Sequence, residues 1–508
     1  MFIKNAVGRL YTTLVLTTFF VIFSIIAIKF FIPKTIWMVW EFPYPTEYYT
    51  PKKVFIVIVT ALILFSMLFM YYKFVISKLN VVFTNVAITG YVLIILASEL
   101  FITSIAFNSV VGDYAIIKEG IDSFFADDNK FLEMGQLRFY PYNTHIVLIG
   151  GYFAKLLGSV DLSVKVLPIL SITGSIILNT LTVKKVTNFK AAHISIVLAV
   201  LNVLIYWQAP VFYTHTLVVF FISATMYVYL CLKTADTKRK KIIWWGILGL
   251  VAACTYVIRP TALAVAIAIL FENIFKYRKA YSFKVLSSVL FCILLIVGFK
   301  GVTTKLNLST DNDIEKIPYS HWVKMGLNEQ TYGVWNQSDV NYISDMHSTK
   351  EMDEHNKKII VQRLKELGFT GYISHLNEKI EREWVSSQFS MYRIGEWFEQ
   401  KNDKVTNIVS NYKTTSYKVF NIYTFVIKLF ILLATLAAVL LYKKLNEKEA
   451  EVLRISLAST LIIFVFLLLW ETAPHYTYEA WAFMNIPATL GLYKLFTIFG
   501  DKNKEMDF

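Results

Sequence analysis

The chain is short of charge. Asp, Glu, Lys and Arg supply 17% of its 508 residues, against about 25% in a soluble domain. Cysteine is scarcer still. Cys231, Cys254 and Cys292 are the only three, and all lie in apolar runs, so no disulfide framework or zinc-ligand spacing exists. There is no repeat at solenoid periods and no low-complexity tract. No nucleotide-binding Gly-rich loop stands on the inner side. These absences exclude disordered, collagen-like and disulfide-scaffold classes. What is present is apolar: 56% of residues are hydrophobic and 16% aromatic. That composition specifies a polytopic membrane protein, with Tyr and Trp suited to interfacial belts.

A membrane span needs about 20 apolar residues. Runs occur at 11–32, 53–76, 83–107, 162–183, 191–208, 212–232, 242–258, 260–275, 285–303, 421–442, 452–470 and 480–497. The expected fold is therefore all-α, with about 12 transmembrane helices. The first run lacks a cleavage site and is read as an anchor. The net charge of +14 is best explained by inner loops. Lys184, Lys185 and Lys190, then Lys233 and 238–241, then Lys276, Arg278, Lys279 and Lys284, then Lys443, Lys444 and Lys448 all fall inside if both termini are cytoplasmic. A crossing at 143–158 would throw these clusters outside, so that segment reads as an interfacial helix on the outer surface. Two outer segments result, 108–161 and 304–420. The expected organisation is a membrane module at 1–303 carrying the outer loop 108–161. A mostly helical extracytoplasmic unit follows at 304–420, and closing helices at 421–508.

Candidate chemistry gathers on that outer side. Asp113 stands just beyond the third span and opens an amphipathic stretch. A carboxylate there can take a proton from a sugar hydroxyl attacking an anomeric carbon; helix capping is the plainer use of a Gly-Asp step. Arg138 and Arg259 lie at head-group depth, where a planar cationic fork suits a phosphate and snorkelling is the alternative. His145, His215, His321 and His475 share the outer compartment without ligand spacing, and His321 and His475 are candidates for phosphate contact. Asp311-Asn312-Asp313 has the spacing of a metal-binding Asp-x-Asp, but adjacent acids in a loop are usually solvated, and no metal or other cofactor is assigned. Glu99 and Lys428 are charges within spans, which are costly and point to function.

The order of parts in 113–185 resembles the GT-C superfamily of lipid-carrier-dependent membrane glycosyltransferases, in its protein-mannosyltransferase-like branch. The matching pieces are Asp113, the helix at 114–125, Tyr140-Pro141-Tyr142-Asn143, the helix 144–157, Gly158, and a span ending in Lys184-Lys185. The stretches Tyr319–Asn328 and Glu471–Tyr476 are similar to segments of related Gram-positive bacterial enzymes. Departures are that two spans precede the span expected first, that no second acid follows Asp113, and that Asp127-Asp128 is an unspaced pair. The resemblance implies inverting transfer of a sugar from a polyprenyl-phosphate carrier to a cell-envelope glycan or other acceptor outside the plasma membrane. It implies Asp113 as general base. Arg259, Arg138, His321 and His475 are assigned to the donor phosphate, and Tyr140, Tyr142, Asn143 and Glu99 to substrate. The partners are then the lipid-linked donor, the glycan acceptor and membrane lipid, with no nucleic acid. The competing readings are a transporter or flippase of lipid-linked glycans, and a polysaccharide polymerase or ligase. A transporter calls for midplane polar sites and inverted repeats, whereas the polar residues here cluster in outer loops.

Overall fold

The protein is described from a computed structural model covering residues 2–32, 35–36, 47–48, 50–106, 113–276, 279–306, 308, 316–341, 346, 348–386, 403–409, 411 and 413–505. Asp311-Asn312-Asp313 lies outside the described residues. The helices in order are α1 (Phe2–Lys29), α2 (Pro51–Phe74), α3 (Val81–Ile105), α4 (Asp113–Phe125), α5 (Gly135–Phe139), α6 (Thr144–Leu157) and α7 (Val160–Val186). Then come α8 (Phe189–Leu201), α9 (Val203–Tyr206), α10 (Thr214–Thr234), α11 (Lys238–Ile258), α12 (Ala264–Lys276) and α13 (Lys279–Lys305). The last are α14 (Ser320–Gly326), α15 (Thr349–Ile380), α16 (Asp403–Val409), α17 (Thr415–Leu440), α18 (Glu447–Leu469), α19 (Tyr478–Phe483) and α20 (Asn485–Glu505). One two-residue strand pair, Thr35–Ile36 with Glu47–Tyr48, is the only sheet among the described residues.

Nine described helices are long and apolar enough to cross a membrane. The pair Pro474–Phe483 and Asn485–Gly500, bent by 46°, makes a tenth if it is counted as one broken span rather than a re-entrant loop. The runs expected at 191–208 and 260–275 are helical, but α8 and α12 hold only 13 residues each, short of the ~20 a span needs. The all-α membrane class stands, while the count of twelve does not follow from helix length. Local chemistry starts the long helices. Thr50, Asn80, Ser159, Thr237 and Thr414 each accept a bond from a backbone N–H of the first turn, satisfying donors that lipid cannot. Asn446 and Glu449 form a reciprocal box at the head of α18.

Helix α10 is central: 83% of its most apolar window is buried, against 6% for α2 and 11% for α3. It packs on α7 and α11, and α17 on α20. Leu62, Met67, Phe83 and Phe101 point outward from the peripheral helices, as lipid-facing residues do.

Two sets of close contacts build the end of the bundle that carries Asp113 and the Tyr-Pro turn. Helix α4 lies on α6, where a Cβ at Gly150 would meet Ile121 at 2.5 Å and one at Gly151 would meet Phe124 at 2.2 Å. Small residues let the helices approach, and Gly158 at φ 71° turns the chain from α6 into α7. The described part of 304–420 is seated on the Tyr-Pro turn and on the end of α18. Trp322 stacks on Trp470 at 5.2 Å between centroids, with Tyr140 and Tyr142 each 5.8 Å from Trp322. Ile317 N–H donates to the Phe139 carbonyl (3.1 Å) and Thr472 N–H to that of Gly333 (2.7 Å). Lys379 Nζ donates to the carbonyls of Gly326 (3.1 Å), Leu468 (3.2 Å) and Trp470. A Cβ on Gly326 would stand 2.4 Å from the Trp470 oxygen.

Candidate functional site

Asp113 is the first residue of α4 and is exposed. The Tyr213 hydroxyl, just ahead of α10, donates to its Oδ2 at 2.9 Å. Burial raises the Tyr213 phenol well above its ordinary value, and the Asp113 charge and hydrogen bond add to this. Tyr213 therefore remains a protonated donor at neutral pH. Tyr114 packs edge-on against Tyr213 at 5.3 Å.

Arg259 comes from the other side. It closes α11 in extended backbone (φ −160°, ψ 105°), and Pro260 opens the next turn. The adjacent Val257 carbonyl accepts from His145 Nδ1 of α6 at 3.0 Å, which ties this turn to the Tyr-Pro segment. The guanidinium is held on several edges. Nε is paired with Oε1 of Glu479 and donates to Thr261 Oγ1 at 3.2 Å, and Nη1 donates to Thr214 Oγ1 at 3.1 Å. Glu479 is 1% exposed. Arg259 also lies over the Tyr476 ring at 5.2 Å, a cation–π contact. Tyr476 is within electrostatic range of Asp113 as well as Arg259, and its hydroxyl donates to Glu471 Oε2 at 3.0 Å.

His215 and His475 meet beside this group, with ring centroids 5.4 Å apart; Tyr478 is also 5.4 Å from His215. His215 is 1% exposed, and neither ring nitrogen has a hydrogen-bond partner among the described residues. A buried polar group without a partner needs a reason, and His215 lies next to the Arg259 charge. Tyr142 completes the set: it senses the charges of Tyr213, Tyr476 and Asp113, and burial raises its phenol well above the usual range.

Asp113, Tyr142, Arg259 and His475 thus converge from four separated stretches of chain. The other expected site residues are placed differently. Tyr140 packs on Trp322 at the seat of the outer segment, and Asn143 is buried in the 3₁₀ turn that opens α6. Arg138 is exposed on α5. His321 is fully buried in α14, where burial holds its imidazole down at about 3. Glu99 is fully buried in α3 and accepts from Thr173, while Lys428 donates to the Ser386 carbonyl, so the two spanning charges are each engaged elsewhere. Tyr213 and Glu479 are not singled out by the sequence reading. The signal for Glu479 is an acid at the head of the last apolar run. Among the described residues no three His, Cys, Asp or Glu side chains converge to hold a metal ion.

A family model described as "Conserved hypothetical integral membrane protein" matches residues 7–473. No curated protein matches the chain. Among solved structures, it is similar to ArnT from Cupriavidus metallidurans bound to undecaprenyl phosphate. The TM-score is 0.35 and the identity 10%, over 80% of this chain and 78% of that one. It is also similar to the archaeal oligosaccharyltransferase AglB from Archaeoglobus fulgidus, in complex with an inhibitory peptide and a dolichol-phosphate. There the TM-score is 0.40 and the identity 11%, over 82% of this chain and 52% of that one.

Proposed function

The chain belongs to the conserved hypothetical integral membrane protein family, and from that premise we propose that it is a membrane glycosyltransferase. It moves a sugar from a polyprenyl-phosphate carrier to a glycan acceptor, by inverting displacement on the extracytoplasmic face. The observation that carries this reading is the pairing of an exposed carboxylate with an oriented guanidinium in one cluster. Asp113 is aimed by Tyr213, and Arg259 is fixed by Glu479, Thr214 and Thr261.

In this scheme Asp113 accepts the proton of the acceptor hydroxyl. The freed oxygen attacks the anomeric carbon, and the bond to the phosphate oxygen breaks. The carrier phosphate leaves with the extra negative charge, which Arg259 offsets. A positioned carboxylate contributes about 10²–10⁴-fold as general base. His475 borders the leaving group, and Tyr142 faces the acceptor side. The membrane module 1–303 and the closing helices 421–508 hold the site, the unit 304–420 covers it, and both termini are cytoplasmic.

The test is transfer by purified full-length protein, with a polyprenyl-phosphate-linked sugar as donor. Asp113→Asn keeps shape and capping ability but cannot take the proton. Transfer is expected to fall at least about 100-fold with folding and donor binding intact, while Asp122→Asn retains most activity. Wild-type transfer by Asp113→Asn ends the base assignment. Mass analysis of cell-envelope glycans with and without the gene then identifies the product.

A further inference from the structure

The end of the bundle away from this site carries a cavity of 230 Å³ among the ends of α7, α10 and α18. Three of its lining residues are lysines, Lys185, Lys233 and Lys448, and two are acids, Glu447 and Glu451. On α10 the lining residues Leu230, Lys233 and Thr234 lie 16 to 20 residues beyond Thr214, a separation of ~24–30 Å at 1.5 Å per residue. That distance is a bilayer thickness. The cavity and the catalytic cluster therefore belong to opposite membrane faces.

The charges in the cavity are unequally committed. Glu451, 3% exposed at its side chain, is held by Lys233 and accepts from the Tyr229 hydroxyl at 2.6 Å. Asn273 donates to that same hydroxyl at 3.1 Å, which ties the floor to α12. Lys233 and Glu451 thus form a fixed, neutralised base. Lys185 and Lys448 have no carboxylate partner among the described residues. Lys448 is exposed and Lys185 half-exposed. Above that floor the wall sets Lys185 and Lys448 against the single exposed carboxylate of Glu447, so it keeps a net charge of about +1. Room is ample for a phosphate and its substituents, since one water occupies roughly 30 Å³. Lys184, Lys190, Lys443 and Lys444 are close in sequence to the lining residues but do not line the cavity; Lys184 donates to Asn85 at 3.1 Å and Lys190 to the Ser77 carbonyl at 2.6 Å.

We infer that this cavity binds the phosphate of an anionic phospholipid head-group from the cytoplasmic leaflet. Basic pockets between helices on that side take such head-groups, and each lysine near the surface contributes about fivefold in affinity. The site is separate from the glycosyl-transfer cluster and does not depend on that reading.

The experiment uses the detergent-purified full chain and native mass spectrometry, after incubation with equal amounts of phosphatidylglycerol and phosphatidylcholine. The wild type is expected to retain phosphatidylglycerol selectively. Lys185→Gln with Lys448→Gln should lose that retention by about 25-fold, as two contributions of about fivefold combine. Lys185→Arg with Lys448→Arg should keep it, which separates charge from folding. Lys240→Gln with Lys443→Gln, outside the cavity, should also keep it. Unchanged retention in the double glutamine variant overturns the assignment. So does equal loss in the Lys240/Lys443 control, which would mean a diffuse basic collar. In a second arm inorganic phosphate competes in excess. Full displacement of phosphatidylglycerol would make the cavity a free-phosphate site and overturn the lipid source.

Discussion

Two acid–arginine pairs lie toward opposite ends of one helix bundle. Glu272 and Arg454 meet between α12 and α18 with side chains 0% and 4% exposed, and Nη2 is 2.5 Å from Oε1. Nε donates to both carboxylate oxygens at 3.1 and 3.2 Å, and Nη1 donates to the Tyr442 hydroxyl. Every nitrogen of Arg454 is therefore spent on fixed neighbours. Glu479 and Arg259 are joined only through Nε and Oε1, and they stand beside an exposed carboxylate, a half-buried tyrosine and a histidine, His215, without a hydrogen bond among the described residues. A closed pair holds helices together. Under the proposed function, a pair next to open, oriented groups holds a reagent in place.

The largest effect separating the two is expected at the closed pair. Glu272→Leu strands the Arg454 charge in a dry interior and should cost about 3–5 kcal/mol, read as a large drop in thermal stability of the detergent-solubilised protein. Adding Arg454→Met removes the stranded charge, and most of the loss should return, because a buried pair exchanged for apolar residues of similar size is often neutral. If the double variant is as unstable as the single one, the pair is not the closed structural unit described.

How much of this contrast is readable from sequence depends on the distance over which the signal acts. Apolar runs, caps and the Gly158 turn are local, and the helices α4, α6 and α7 follow them closely. Asp113 and Arg259 are also legible, because a charge next to a long apolar run marks a membrane edge. Glu272 and Arg454 are not, since they lie 182 residues apart in sequence and nothing local matches the one to the other. Tyr213 fails for another reason. Thirty tyrosines in the chain leave nothing to distinguish the one that reaches Asp113. The span count is legible only in part, because α8 and α12 are as apolar as the rest but end after 13 residues.

A smaller effect should come from loosening the open end without removing its charge. Tyr213→Phe deletes the donor to Asp113 and leaves the ring contact with Tyr114 in place. A hydrogen bond to a charged group contributes about 1.5–3 kcal/mol. Asp113 is exposed, so the low end applies, and transfer should slow about tenfold in kcat with donor KM unchanged. A rise in donor KM with kcat intact would make Tyr213 a part of the donor pocket instead.

The smallest effect tests where His321 belongs. It is a candidate phosphate contact by sequence, yet it sits fully buried in α14. Burial lowers its imidazole from about 6.5 to about 3, the nearby Lys324 charge adds to the depression, and Asp339 opposes it. Asp339 itself is held below the usual carboxylate range despite burial, by Arg363 at 2.7 Å and by Asn328 and Asn336. The folded pKa of His321 lies below the unfolded one, so between about 6.5 and 3 the unfolded segment binds a proton that the folded one excludes. Its contribution to stability is whole above pH 6.5 and falls as the solution is acidified, by at most about 1.4 kcal/mol per pH unit. The protection of residues 320–326 against hydrogen exchange, taken relative to the intrinsic exchange rate at each pH, should therefore fall between neutral pH and pH 5 in the wild type, and less so in His321→Gln, with no change in donor affinity at neutral pH. If His321→Gln instead weakens donor binding and leaves that exchange profile as it was, the histidine serves the phosphate, and α14 belongs to the open end of the comparison.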